Sequence, residues 1–178
     1  MRNFPSRHGF WLVPLLLLAS PAPAAGPPVA AITTAAAPTA APEGDFRWPV
    51  DPPVRLTRRF DPPAQPWEPG HRGVDLAAVP GAPVRAAGAG TVLFAGAVAD
   101  RPVISVAHAD GLRTTYEPVT ATVAVGDPVR PGQPIGVLHP GHAGCPVAAC
   151  LHWGLRRGAT YLDPLGLVGL GRARLLPP

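Results

Sequence analysis

The chain has 178 residues, 47% of them hydrophobic, with 15 basic residues, 11 acidic residues and a formal charge of +4. All the basic residues are arginine, so the chemistry of a modified lysine, and with it a biotinyl or lipoyl carrier role, is excluded. The charge is too small and too scattered to argue for nucleic acid as a partner.

Residues 1–25 have the parts of a secretory signal. Arg2 and Arg7 form the charged end, Phe10 to Ala19 the apolar segment and Ala22-Pro23-Ala24 the cleavage site. The apolar segment is short and broken by Pro14, whereas a spanning helix needs about 20 apolar residues. An exported protein with no membrane segment after cleavage is therefore expected, and losing Arg2 and Arg7 lowers its charge from +4 to +2 (15 − 2 − 11). Such a mildly basic protein is suited to an acidic cell-wall surface. Residues 26–44 are almost wholly Ala, Pro, Thr and Gly, which cannot bury enough apolar surface to offset the entropy of ordering, and they read as a disordered linker.

From residue 45 to 178 the length suits one domain. Abundant Pro and Gly oppose long helices, and short β-branched runs between turn signals predict an all-β fold, a single antiparallel sheet or barrel-like domain. Strands are expected at 83–86, 90–95, 103–107, 113–116, 122–125 and 134–138, with another around His152. Asp110-Gly111 predicts a hairpin turn, because that pair accepts the positive φ values a tight turn requires. Gly126-Asp127-Pro128 and Arg130-Pro131-Gly132-Gln133 predict further turns.

Two residue sets carry chemistry. His71 and Asp75, four apart in Gly70-His71-Arg72-Gly73-Val74-Asp75, are both good zinc donors. A catalytic zinc takes three protein ligands, and His152 in Cys150-Leu151-His152-Trp153 is the candidate third. The competing reading of His71 and Asp75 alone is a surface turn with a hydrogen-bonded histidine. In an exported chain with only two cysteines, Cys145 and Cys150 are expected to be joined in a disulfide. The alternative is a Cys150 thiolate as fourth ligand of a closed, structural zinc.

Several motifs, in order over about 110 residues, resemble the lysostaphin-type or LytM-domain zinc endopeptidases, which cut peptide bridges in bacterial peptidoglycan. Gly70-His71-Arg72-Gly73-Val74-Asp75 is similar to the family's Gly-His-x-Gly-x-Asp. The segments Pro80 to Val92, Val103 to Tyr116, Val125 to Gly136 and Tyr161 to Leu165 resemble those that follow it. Cys150-Leu151-His152-Trp153 stands where the family has His-x-His-Phe. The resemblance implies Zn²⁺ held by His71, Asp75 and His152, a peptidoglycan peptide as substrate, and a groove flanked by Trp67, Trp153 and Tyr116.

Two positions depart from the pattern. The family's histidine two residues before the last ligand is Cys150 here, and its histidine two residues after the hairpin tyrosine is Pro118. The resemblance gives those histidines the handling of the proton and the oxyanion, so substitutes are sought in His142, His139 and Glu117. Glu117 is expected to face away, because neighbours in a strand point to opposite faces. His142 and His139 read either as solvated loop residues or as groups that reach the metal. His108 reads as a strand-end histidine. The runner-up to a hydrolase is a zinc-binding wall-binding or regulatory module without activity.

Overall fold

A computed structural model of the chain describes residues 46–65 and 67–170. The signal segment 1–25 and the linker 26–44 lie outside the described residues. Eleven strands follow one another among the described residues: β1 (Arg55–Arg58), β2 (Gly73–Ala78), β3 (Pro83–Arg85), β4 (Gly90–Val98), β5 (Arg101–Ala107), β6 (Leu112–Glu117), β7 (Val119–Ala121), β8 (Pro128–Val129), β9 (Pro134–Leu138), β10 (Ala149–Arg157) and β11 (Thr160–Leu162). The larger sheet runs β1-β2-β10-β6-β5-β4-β8, with β11 also paired to β10, and the smaller runs β3-β9-β7. All these pairings are antiparallel. The fold is thus all-β, as the runs of β-branched residues indicated, with the strands divided between two sheets.

The core lies between the sheets. Val74 and Leu76 of β2, Leu151 and Trp153 of β10, Tyr116 of β6 and Ile104 and Val106 of β5 are fully buried on one side of the larger sheet. Val84, Val119, Ile135 and Leu138 of the smaller sheet meet them in one cluster. Burying each such side chain contributes about 1.5–3 kcal/mol. Trp153 and Tyr116 are directly opposite in the β10–β6 ladder, so both point inward. Trp153, expected to line or support a groove, supports the site from beneath its floor, and Tyr116, expected to flank the groove, does the same instead of lining it.

Two local expectations are tested by the turns. Asp110 and Gly111 adopt φ of 56° and 68°, the left-handed values their sequence suggested. The expected strand at 122–125 is instead a turn, closed by the Asp127 carboxylate accepting from Ala124 N at 2.8 Å. The strand lies three residues earlier, where Val119 can enter the core and pair opposite Leu138.

A buried hydrogen-bond chain ties β6 to the strand ends. His108 Nδ1 donates to Ala89 O at 2.7 Å, because a carbonyl can only accept. In the neutral ring Nε2 then accepts from Thr114 Oγ1 at 2.7 Å. Thr114 in turn accepts from Tyr116 OH, and that oxygen accepts from Ala87 N, both at 2.8 Å. Burial pushes the Tyr116 phenol up to about 12, against its hydrogen bonds with Thr114 and Ala87. Burial likewise lowers the His108 imidazole, opposed by its bond to Ala89. A histidine depressed below its unfolded value of about 6.5 contributes stability that is full above that value and is lost as pH falls through the folded one. The melting temperature of the protein should therefore drop more between pH 7 and pH 5 than that of His108→Gln, which keeps a donor and an acceptor without titrating.

Candidate metal centre

Strands β2 and β10 pair so that His152 stands directly opposite Asp75, and β10 also pairs with β6 so that His152 stands opposite Glu117. Directly opposed residues share a face, so Asp75, His152 and Glu117 form one row on the side of the sheet away from the core. His71 joins them from the segment before β2, held by a bridge to Asp61 in which each backbone N–H donates to the other's carbonyl, at 2.6 and 2.9 Å.

The three sequence-predicted donors converge. His71 Nε2 is 3.0 Å from both Asp75 Oδ1 and His152 Nδ1, and the last two atoms are 2.8 Å apart. His71 Nδ1 is 2.7 Å from Arg59 O, a pure acceptor, so that nitrogen carries the ring proton and Nε2 presents a bare lone pair in the neutral ring. A lone pair and a carboxylate oxygen at 3.0 Å repel unless a cation or an added proton lies between them. The set therefore fits a metal: two imidazole nitrogens and a carboxylate oxygen are zinc donors, and a backbone carbonyl fixing the far nitrogen is the usual outer support of a ligating histidine. Tetrahedral ligands 2.0–2.1 Å from zinc are about 3.3 Å apart, close to the spacing seen.

Electrostatics agree. Burial alone would raise the Asp75 carboxyl, but His152 and His71, with His142 nearby, hold it well below the usual carboxylate range. Its second oxygen, Oδ2, is buried without a hydrogen-bond partner.

Glycine makes room for the cluster. A Cβ on Gly73 would come within 2.7 Å of His152 Nε2 and 2.5 Å of Trp153 O, so the ring of His152 occupies the place of a side chain. Gly73→Ala, which changes no donor, should lower zinc affinity by about 10- to 100-fold, the size of effect seen when supports behind a ligand are lost. Zinc competition with a chromophoric chelator measures it, and circular dichroism checks that the sheet persists.

The structure distinguishes the three candidate proton carriers. His142 Nδ1 is buried, has no hydrogen-bond partner and lies 3.8 Å from Asp75 Oδ2. Its ring stacks on His152 with centroids 5.7 Å apart and planes 9° apart. Burial lowers its pKa, with Asp75 opposing. His139 is exposed, and its Nε2 is engaged by Thr120 Oγ1. Glu117, expected to face away, instead faces the site, because the ladder aligns it with His152 and turns Tyr116 to the core. It lines a pocket of about 290 Å³ with Arg101, Pro118, His139 and His142. Arg101 Nη1 stands 3.7 Å from its carboxylate.

Cys145 and Cys150 are joined in a disulfide. That corrects the alternative of Cys150 as a thiolate ligand, since its sulfur has no charge or lone proton to give up. The bond closes the loop that follows His142. Trp67, on the loop before His71, is 81% exposed. Sequence reasoning missed Arg59, whose carbonyl sets the His71 tautomer from 12 residues away, and Gly73 as a seat for His152. Neither has a local signal.

The model of peptidase family M23 matches residues 69–164, a span containing all three donors. The chain belongs to peptidase family M23. Members of this M23 family are metallopeptidases. An uncharacterized protein of Mycobacterium tuberculosis is 54% identical over 146 residues, 80% of this chain and 59% of that protein. The chain thus spans well under two thirds of that relative's length. Among solved structures, a zinc-containing peptidase from Vibrio cholerae is 27% identical with a TM-score of 0.52, over 62% of this chain and 36% of that one. The catalytic domain of the antimicrobial peptidase lysostaphin from Staphylococcus simulans is 26% identical with a TM-score of 0.56, over 65% and 92%.

Proposed function

We propose that this M23 protein is a zinc-dependent endopeptidase acting on peptides of bacterial peptidoglycan, exported by residues 1–25 and working at the cell wall. The observation that carries this is the meeting of His71 Nε2, His152 Nδ1 and Asp75 Oδ1 within 3.0 Å, in which the neutral His71 nitrogen and the Asp75 oxygen can only accept, a contact that a divalent cation relieves. His71, Asp75 and His152 would hold the ion. Bound zinc supplies a Lewis acid that polarises a peptide carbonyl and acidifies water.

The remaining work is proton transfer, and this chain's own residues supply it. His142 Nδ1 accepts the proton of the attacking water and returns it to the leaving amine nitrogen. It is oriented for this by its stack on His152 and by its place beside Asp75 Oδ2. Glu117 faces the same pocket and favours the charged form of His142. In this way the segment leading into the Cys145–Cys150 loop brings in a histidine where the resembling family carries one at the position of Cys150.

A second reading is a zinc-holding binding module without activity. It is favoured by Pro118 and the disulfide-bonded Cys150, neither of which carries a titrating proton. The experiment is to measure the zinc content of the purified protein and its release of peptides from purified cell wall, before and after chelation and zinc return. Stoichiometric zinc with chelator-sensitive cleavage supports the peptidase. Zinc without cleavage leaves the module, and absence of zinc under saturating supply defeats both.

A further inference from the structure

The face that bears the metal ligands carries a second polar arrangement. Arg156 lies four residues beyond His152 on β10, two full pleat repeats, and so shares its face. In the β10–β6 ladder it is directly opposite Arg113, and in the β10–β11 ladder directly opposite Tyr161. Like charges directly opposite one another destabilise a sheet. Among the described residues no carboxylate lies within ion-pair distance of Arg113 or Arg156. Arg113 Nε is, moreover, buried without a hydrogen-bond partner. The Arg156 guanidinium is fixed over the Tyr161 ring at 5.5 Å from its centroid, a contact that orders a side chain otherwise costly to immobilise.

A cross-strand pair of guanidiniums without carboxylate partners, one of them held by an aromatic ring and by its Nε bond to Gly158 O at 2.7 Å, is costly to an empty sheet and suited to an anion at its remaining Nη donors. Arg forks match the two oxygens of a carboxylate. Between this pair and the His152–Glu117 row lies the opposed pair Gly154 and Thr115, neither of which carries a charge. Four residues of antiparallel strand span about 13–14 Å, which an extended peptide covers in about four residues.

We propose that Arg113 and Arg156 form a carboxylate subsite that receives a carboxylate of the peptide substrate about four residues from the bond presented to the metal ligands. The subsite rests on the peptidase reading for its substrate and extends it. A peptide carboxylate is favoured over a phosphate polymer because the pair stands on the same face as the ligand row and in line with it, even though Arg72 also lies over the Tyr161 ring at 5.7 Å.

The test titrates acetyl-pentaalanine, with its free carboxylate, and the corresponding amide into the zinc-supplied full chain. Dissociation constants are read from the ¹H–¹⁵N resonances of the arginine side chains. The carboxylate peptide should bind about tenfold more tightly than the amide, as expected for a charge-assisted hydrogen-bond pair. The preference should vanish in Arg113→Gln and in Arg156→Gln. Both variants should keep zinc, and Arg113→Gln should melt no lower than the parent, because a like-charge contact has been removed. Equal affinities for acid and amide, no saturable binding of either up to ~10 mM, or a preference that survives both substitutions would overturn the subsite. So would tighter binding of polyphosphate than of the carboxylate peptide, which would make the pair a polyanion site. Because binding is read without turnover, selective binding without cell-wall cleavage defeats the peptidase reading alone, and cleavage without selectivity defeats the subsite alone.

Discussion

His152→Ala should abolish zinc retention and cell-wall cleavage together, whereas His142→Ala should keep zinc and lose about 100- to 10,000-fold in cleavage rate. The two residues stack face to face, yet their atoms meet different partners. His152 Nδ1 stands in the triangle with His71 and Asp75, with both contacts at 3.0 Å or less. Removing it leaves two protein donors, fewer than the three that a catalytic zinc takes. His142 Nδ1 stands outside that triangle, 3.8 Å from the other oxygen of Asp75. Its loss leaves the triangle intact and removes a proton acceptor, and general acid–base catalysis is worth that range. The comparison is made on zinc content by elemental analysis and on the initial rate of peptide release. A His142→Ala protein that cleaves at the parental rate would remove His142 from the proton path. Parallel loss of zinc in both variants would make His142 a ligand instead.

Trp153→Ala should lower stability by about 3–5 kcal/mol, the range for truncating a large buried aromatic. Trp153 is fully buried in the cluster between the sheets, and Trp48 packs against it with ring centroids 6.0 Å apart. The loss is a large part of the 5–15 kcal/mol by which domains are stable. Its indole Nε1 is buried without a hydrogen-bond partner, so part of its burial is already offset by that unsatisfied donor. Trp153→Phe, which deletes the donor and keeps most of the ring, should accordingly cost much less than the alanine change. Denaturant melts of the three proteins decide it, and equal losses for Phe and Ala would show that indole-specific packing, rather than filled volume, holds the core. Trp153 and His152 are adjacent on β10 but face opposite ways, so the alanine variant should also loosen the ligand row from beneath.

Much of this was open to reading along the chain. The β-branched runs mark β3, β4, β5, β6 and β9 because alternating, half-buried strands favour those residues locally. Asp110-Gly111 marks its turn because positive φ is a property of the residues themselves. The turn joining β4 to β5 is formed by Ala99 and Asp100 at φ of 47° and 64°. Alanine there gives no turn signal, and the strand pairing imposes a conformation its side chain disfavours.

The candidate donors of the metal site were likewise legible, because His71 and Asp75 are four residues apart and only five other histidines exist to complete them. Their surroundings were not. Whether Glu117 faces the ligands or the core depends on which residue of β10 it opposes, and a shift of one residue would exchange it with Tyr116. The same register buries Trp153 and Tyr116 and brings Arg113 against Arg156, and the β2–β10 register seats the His152 ring over Gly73. His142 reaches Asp75 across 67 positions of sequence, from the segment just before the loop closed by the disulfide. Residue identities and short-range geometry are properties of the chain, and they determined the strands, the turns and the metal donors. Faces and long-range neighbours depend on strand register and loop closure, which exist only once distant segments pair, and so the tertiary structure decided what surrounds those donors.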